Sequence, residues 1–100
     1  MPDKRPAYVI AEVEITDPAG FQDYVAKAMP TLAGYNARLV VRSKAHRKEG
    51  TAPTGDIVIV AFDSLADAEK WYSSASYSET IPLRQRSANT RLFIVEGEPQ

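Results

Sequence analysis

Glu12 and Glu14 stand one residue apart in an otherwise apolar stretch, Arg38 and Arg42 flank Leu39-Val40-Val41, and Arg84 and Arg86 follow Tyr77 by a few residues. A carboxylate held in a cavity can act as an acid or a base. The planar fork of arginine suits a carboxylate or a phosphate. Each group also has a plainer role. The glutamates read equally as ion-pair partners at a strand end or a subunit seam, their acidity weakened by burial or strengthened by Arg38 or Arg42. Arg84 reads either as an anion-binding group or as a tie to a helix end or a partner subunit, and Arg86 reads as structural.

His46 is the single histidine. A lone histidine can serve as a base near neutral pH, and this one lies in a polar run, so it reads as a base or as a solvated surface side chain. With only Glu49 nearby it falls short of the ligand number that a zinc or iron site needs. Neither a metal nor a cofactor is expected. Tyr77 follows a helix break and reads as the aromatic wall of a pocket, whereas Trp71 and Tyr72 read as helix core. The serines at 73, 74, 76, 78 and 87 lack the glycine pattern of a nucleophile elbow. No phosphate-cradling loop or dinucleotide fingerprint is present. The candidate ligand-binding set is therefore Glu12, Arg38, Arg42, His46, Tyr77 and Arg84.

The elements that must position these residues follow from periodicity. Ala7–Ile15 alternates, with Val9, Ala11, Val13 and Ile15 on one face and Tyr8, Ile10, Glu12 and Glu14 on the other, which predicts a strand. Asp17-Pro18 opens a helix, and Phe21, Val25, Ala28, Leu32 and Tyr35 make its apolar stripe. Pro30 should kink or shorten it, and Gly34 is expected to end it. Residues 37–43 read as a second strand, with Leu39 and Val41 on one face and Arg38, Val40 and Arg42 on the other. A polar connection over 44–55 leads to a strand at 57–62, whose continuous apolar run is expected to be buried on both faces. Ser64 caps a second helix that breaks within 73–78. A short helix over 79–88 and a final strand over 91–96 close the domain.

Strand, helix, strand, strand, helix, strand is the split βαβ order of a ferredoxin-like α+β domain. Right-handed crossovers put the helices on one face of a four-stranded antiparallel sheet. Its other face, with Ile10 and Val40, is left apolar and bare, and such faces are normally covered by a partner. A homodimer packed sheet to sheet is expected. One domain over 7–97 is predicted, with a flexible lead-in at 1–6 and a tail at 98–100.

Composition limits the function classes. A chain of 100 residues, 44% hydrophobic and 25% charged, suffices for one core and argues against disorder. A net charge of -1 gives no general pull toward nucleic acid or an anionic membrane, and neither partner is expected. Cysteine is absent, which removes disulfides and thiolate chemistry. Glu12 and Glu14 interrupt the first apolar stretch, so it suits neither a signal peptide nor a membrane span, and a cytoplasmic location is expected.

The chain resembles the family known as domain of unknown function 1330. The resemblance is carried by Ala7-Tyr8-Val9-Ile10, Asp17-Pro18, Pro30-Thr31-Leu32 before Tyr35, Glu49-Gly50, and Phe62 with Ser64-Leu65. It continues through Trp71-Tyr72-Ser73, Ser76-Tyr77, Leu83-Arg84, Arg86, Arg91-Leu92 and Val95-Glu96-Gly97. Two features depart from the family pattern. Asn36-Ala37 stands where Gly-Gly is usual, and Thr51-Ala52 where an aromatic is usual, so one wall of a loop is expected to be missing. The resemblance implies a dimeric α/β barrel and no particular activity. Three functions are then open: a small-molecule-binding or catalytic homodimer whose ligand is small, with an anion among the candidates, a non-enzymatic dimerisation domain, and, by analogy of fold, a cofactor-independent monooxygenase.

Overall fold

The computed structural model describes residues 4–100. The elements are β1 (Ala7–Ile15), α1 (Pro18–Ala28) continued by a 3₁₀ segment (Met29–Tyr35), β2 (Arg38–Lys44), β3 (Asp56–Phe62), α2 (Leu65–Ser73), α3 (Ala75–Ser78), α4 (Ile81–Ser87) and β4 (Ala88–Glu96). The sheet runs β2-β3-β1-β4, with every neighbouring pair antiparallel. This is the expected ferredoxin-like arrangement, with the helices on one face. The chain is only 16 Å thick in its shortest dimension, the depth of one sheet and one helical layer.

Direct cross-strand partners share a face, so the pairings sort the side chains. Val9 and Ala11 oppose Val60 and Val58 on β3, and Ile94 and Leu92 on β4. With Val13 and Phe62 they face the helices, and Val9, Val13, Val60 and Phe62 are buried. On the reverse face Tyr8, Ile10 and Glu12 oppose Ala61, Ile59 and Ile57 on one side, and Val95, Phe93 and Arg91 on the other. Among the described residues no helix covers that face, and Phe93 and Val95 are 46% and 41% exposed.

Capping follows the local sequence. The Asp17 carboxylate accepts from Gly20 N at 3.2 Å, and Pro18 occupies the first turn. The Ser64 hydroxyl accepts from Asp67 N at 3.1 Å. Of the two effects expected of Pro30, shortening holds: the α-helix stops at Ala28, and Pro30 stands in the first turn of the 3₁₀ segment that succeeds it. That segment ends at Asn36, in the left-handed region at φ 52°, and not at Gly34 as expected. A short polar side chain tolerates this conformation, so asparagine fills a place that glycine would otherwise take. Asn36 Nδ2 then donates to Asp63 Oδ2 at 3.1 Å, tying this turn to the one before α2.

The break expected after α2 falls at Ser74, whose hydroxyl accepts from Tyr77 N and starts the one-turn α3. β4 begins at Ala88, three residues earlier than periodicity suggested, because Ala88, Asn89 and Thr90 pair with Ile15, Glu14 and Val13. The carbonyl of Ser87 accepts from Thr16 N at 2.8 Å and Asp17 N at 3.0 Å, which fixes α4 against the start of α1. The expected flexible lead-in lies partly outside the described residues. Within them, Pro6 and Lys4 carbonyls accept from Gly97 N and Gln100 N, each at 2.7 Å.

Candidate functional site

The space between the sheet and the helical layer is not completely filled. A cavity of about 90 Å³ lies there, walled by Phe21, Tyr24 and Val25 of α1, Val58 and Val60 of β3, and Leu92 of β4. Trp71 closes it from α2. Its polar lining is sparse: Arg84 from α4, Arg42 from β2 and the Tyr24 phenol. Met29, Leu39 and Arg42 also line it and are exposed, so the cavity opens to the surface between the 3₁₀ segment and β2.

Arg84 is the unusual member. Only 7% of it is exposed. Its Nη1 donates to Tyr77 Oη at 2.6 Å, and its Nε is buried without a hydrogen-bond partner. Among the described residues no carboxylate pairs with it. A buried cation without a counter-charge is expensive. Burial works to lower the Arg84 pKa, but the neighbouring hydroxyls of Tyr77, Tyr24 and Tyr72 outweigh it, so the guanidinium holds its proton more firmly than usual.

Tyr77 does not wall the cavity as expected. It is fully buried behind Arg84 and Tyr24, with its ring centroid 3.9 Å from that of Trp71. Its hydroxyl lies 2.8 Å from Tyr24 Oη. Burial, reinforced by Tyr24, pushes the Tyr77 hydroxyl well above the usual phenol range, against the opposite pull of Arg84. Trp71 Nε1 donates to Thr31 Oγ1 at 2.9 Å, and Thr31 donates to the Ala28 carbonyl at 2.6 Å. The indole is thereby locked and the cavity floor with it.

Of the other candidates, only Arg42 joins Arg84 at this cavity, and it does so by departing from simple alternation. The register of β2 against β3 shifts between Leu39 and Val41. Val40 is the extra residue of a bulge, so Val41 opposes Ile59 on the bare face while Arg42 opposes Val58 on the helix side. Arg42 was expected to point away from the helices, and the bulge reverses it. Arg38, before the bulge, opposes Ala61 and stays on the bare face.

Glu12 is on that face as well. It accepts from Arg91, with Nη2 2.7 Å from Oε1 and 2.9 Å from Oε2, and Nε 3.2 Å from Oε1. The whole sheet therefore separates Glu12 from Arg84. Glu14 accepts from Asn89 Nδ2 at 3.0 Å. His46 is exposed in the connection between β2 and β3. Sequence reasoning passed over Tyr24, although α1 carries it beside Phe21 and Val25. It also passed over Arg91, whose place opposite Glu12 depends on the β1–β4 register. Among the described residues no group of three or more His, Cys, Asp or Glu could hold a metal ion, and no helix is long and apolar enough to cross a membrane.

Solved structures share this fold. A protein of unknown function from Rhodopseudomonas palustris superposes with a TM-score of 0.73 at 14% identity, over 92% of this chain and 82% of that one. SnoaB, a cofactor-independent oxygenase from Streptomyces nogalater, gives 0.62 at 9% identity, over 97% and 96%. A NIPSNAP domain protein from Burkholderia xenovorans gives 0.57 at 13%, over 91% of each. Identities this low establish the fold alone. No curated protein matches the chain. The model of one family, described as Domain of unknown function (DUF1330), matches residues 6–98, and the chain belongs to that family.

Proposed function

We propose that this protein is a homodimer that binds a small organic molecule in the cavity between its sheet and its helices. The ligand has an apolar body and an anionic group. Arg84 carries the proposal: a buried guanidinium in an apolar cavity, with an unpartnered Nε and no carboxylate answering it. A free protein keeps such a charge at a cost to stability, and a bound anion would offset that cost. Arg42 at the opening adds a second positive charge that would favour approach of an anion.

The bare face of the sheet supports the dimer. Phe93 and Val95 stand exposed beside Ile10 and Ile59, and a stable interface removes roughly 1,200–2,000 Å² of surface from water. A cytoplasmic location fits the absence of cysteine. A non-enzymatic domain with a packed interior has less support, because the interior here holds an open, arginine-tipped cavity. The oxygenase alternative rests on likeness of fold to SnoaB.

The test is Arg84→Met with a thermal-shift screen of small organic acids. The free variant should melt at or above the wild-type temperature, since an uncompensated charge has been replaced by an apolar chain of similar volume. Ligand-induced stabilisation, which grows with ligand concentration over affinity, should vanish in the variant. A variant that binds organic acids as the wild type does, or a wild type that binds none of them, overturns the proposal.

A further inference from the structure

The hydrogen-bond order around Arg84 says more about the ligand, given the proposal that the cavity takes one. Tyr77 Oη has two polar neighbours, Arg84 Nη1 at 2.6 Å and Tyr24 Oη at 2.8 Å. Arginine can only donate. The Tyr77 proton, wholly buried, therefore has one acceptor to go to, the oxygen of Tyr24. Tyr24 cannot return the bond along the same line, so its own O–H is free to turn elsewhere. Tyr24 lines the cavity, and so does Arg84, whose Nε–H is the other donor without a partner. The cavity wall there thus holds a guanidinium and a phenol, both donors, and no competing carboxylate. A neutral amide or alcohol would bring donors of its own to a place with little to receive them. A carboxylate brings only acceptors.

We infer that the inner end of the cavity is a carboxylate site, in which the Arg84 guanidinium and Tyr24 Oη donate to the acid group and the apolar remainder of the ligand runs outward past Leu39 and Met29. The size agrees. An apolar cavity of roughly 150 Å³ holds a benzene molecule, and the space here is about 90 Å³. It accepts a head group and a few carbons, so the rest of a longer molecule must lie toward the opening. Tyr77 takes no part in contact. It is a positioning residue that orients the Tyr24 hydroxyl.

Calorimetry on the full chain tests this with two matched sets, hexanoate, hexanamide and hexan-1-ol, and benzoate, benzamide and benzyl alcohol. In each set the acid should bind at least about ten-fold tighter than its neutral relatives, the difference expected of one hydrogen bond to a charged group. Tyr24→Phe should weaken the acids by about ten-fold and the neutral molecules less. Neutral relatives that bind as tightly as the acids would overturn the carboxylate site while leaving the cavity a ligand site. Binding of neither set would overturn the ligand-binding function itself. An equal loss for all probes in Tyr24→Phe would remove Tyr24 from the site. Should that variant fail to fold, a crystal structure of the wild type with hexanoate decides: the carboxylate beside Arg84 supports the inference, and the carboxylate at Arg42 with the chain inward overturns it.

Discussion

Arg84 and Tyr77, two helical turns apart in sequence, meet through a 2.6 Å hydrogen bond inside the helical layer, while the guanidinium Nε is buried without a partner. Tyr77 thus accepts from a buried charged group. Removing the hydroxyl in Tyr77→Phe leaves a charged donor unsatisfied, at a cost of about 1–3 kcal/mol. For a domain of this size each kcal/mol lowers the melting temperature by roughly 4–8 °C. Thermal unfolding should show a clear drop for Tyr77→Phe. The double variant Arg84→Met/Tyr77→Phe should recover most of it, because the stranded charge is gone. A double variant less stable than Tyr77→Phe would show that the bond is not the source of the loss.

Alkaline titration follows from the same pair. The fold raises the Tyr77 pKa, mainly by burial, so the native state keeps a proton that the unfolded chain releases near pH ~10. Native Tyr77 thus contributes stability that is complete below that pH and is lost as pH climbs above it. The Arg84 pKa is raised too, but arginine stays protonated well beyond this window in the unfolded chain as well. Denaturant melts should give a flat contribution from Tyr77 between neutrality and pH ~10, then a fall. Tyr77→Phe should flatten that fall. Tyrosinate absorbance at full strength in a still-folded protein would contradict the expected direction.

Much of this architecture was legible because its causes are local. Strict alternation in Ala7–Ile15 sets both faces of β1, and Asp17-Pro18 and Ser64 announce the two helix starts. The site was less legible because its causes are not. The stretch from Arg38 to Lys44 carries no glycine or proline to advertise a bulge. The bulge exists only in the register with β3, and it moves Arg42 from one face of the sheet to the other. Glu12 likewise found Arg91 through a pairing 79 residues away in sequence, so no spacing rule pointed to it. The step of seven from Tyr77 to Arg84, by contrast, is a two-turn helical interval. It was a usable signal for their contact, although the chain between them is two short helices.

The bare sheet face makes a prediction about mass. Phe93 lies near its middle, opposite Ile10, and is 46% exposed. Sedimentation at low micromolar concentration should give twice the chain mass for the wild type. Phe93→Glu places a charge where an apolar partner would sit, and a charge buried without a partner is strongly disfavoured. That variant should sediment as a monomer with its circular dichroism retained. A wild-type monomer, or a Phe93→Glu dimer of unchanged affinity, would count against sheet-to-sheet association.

Glu12 and Arg91 on that same face supply a second, independent gauge of association. In the single chain the Arg91 side chain is 70% exposed and the Glu12 side chain 21%, and Arg91 lies 5.9 Å from the centre of the Phe93 ring. An ion pair that open to water is worth about 0.2–1 kcal/mol, even with good geometry. Covered by a second sheet, the pair would lose its hydration, and removal of one partner would strand the other charge, at about 3–5 kcal/mol. A double-mutant cycle with Glu12→Gln and Arg91→Met separates the two situations. In the wild-type background each single change should be costly and the double change nearly neutral, giving a large coupling. In the Phe93→Glu background, where the face is expected to be open, the coupling should shrink to the surface value. Equal and small couplings in both backgrounds would mean that the pair stays in water and that the dimer, if there is one, uses another surface.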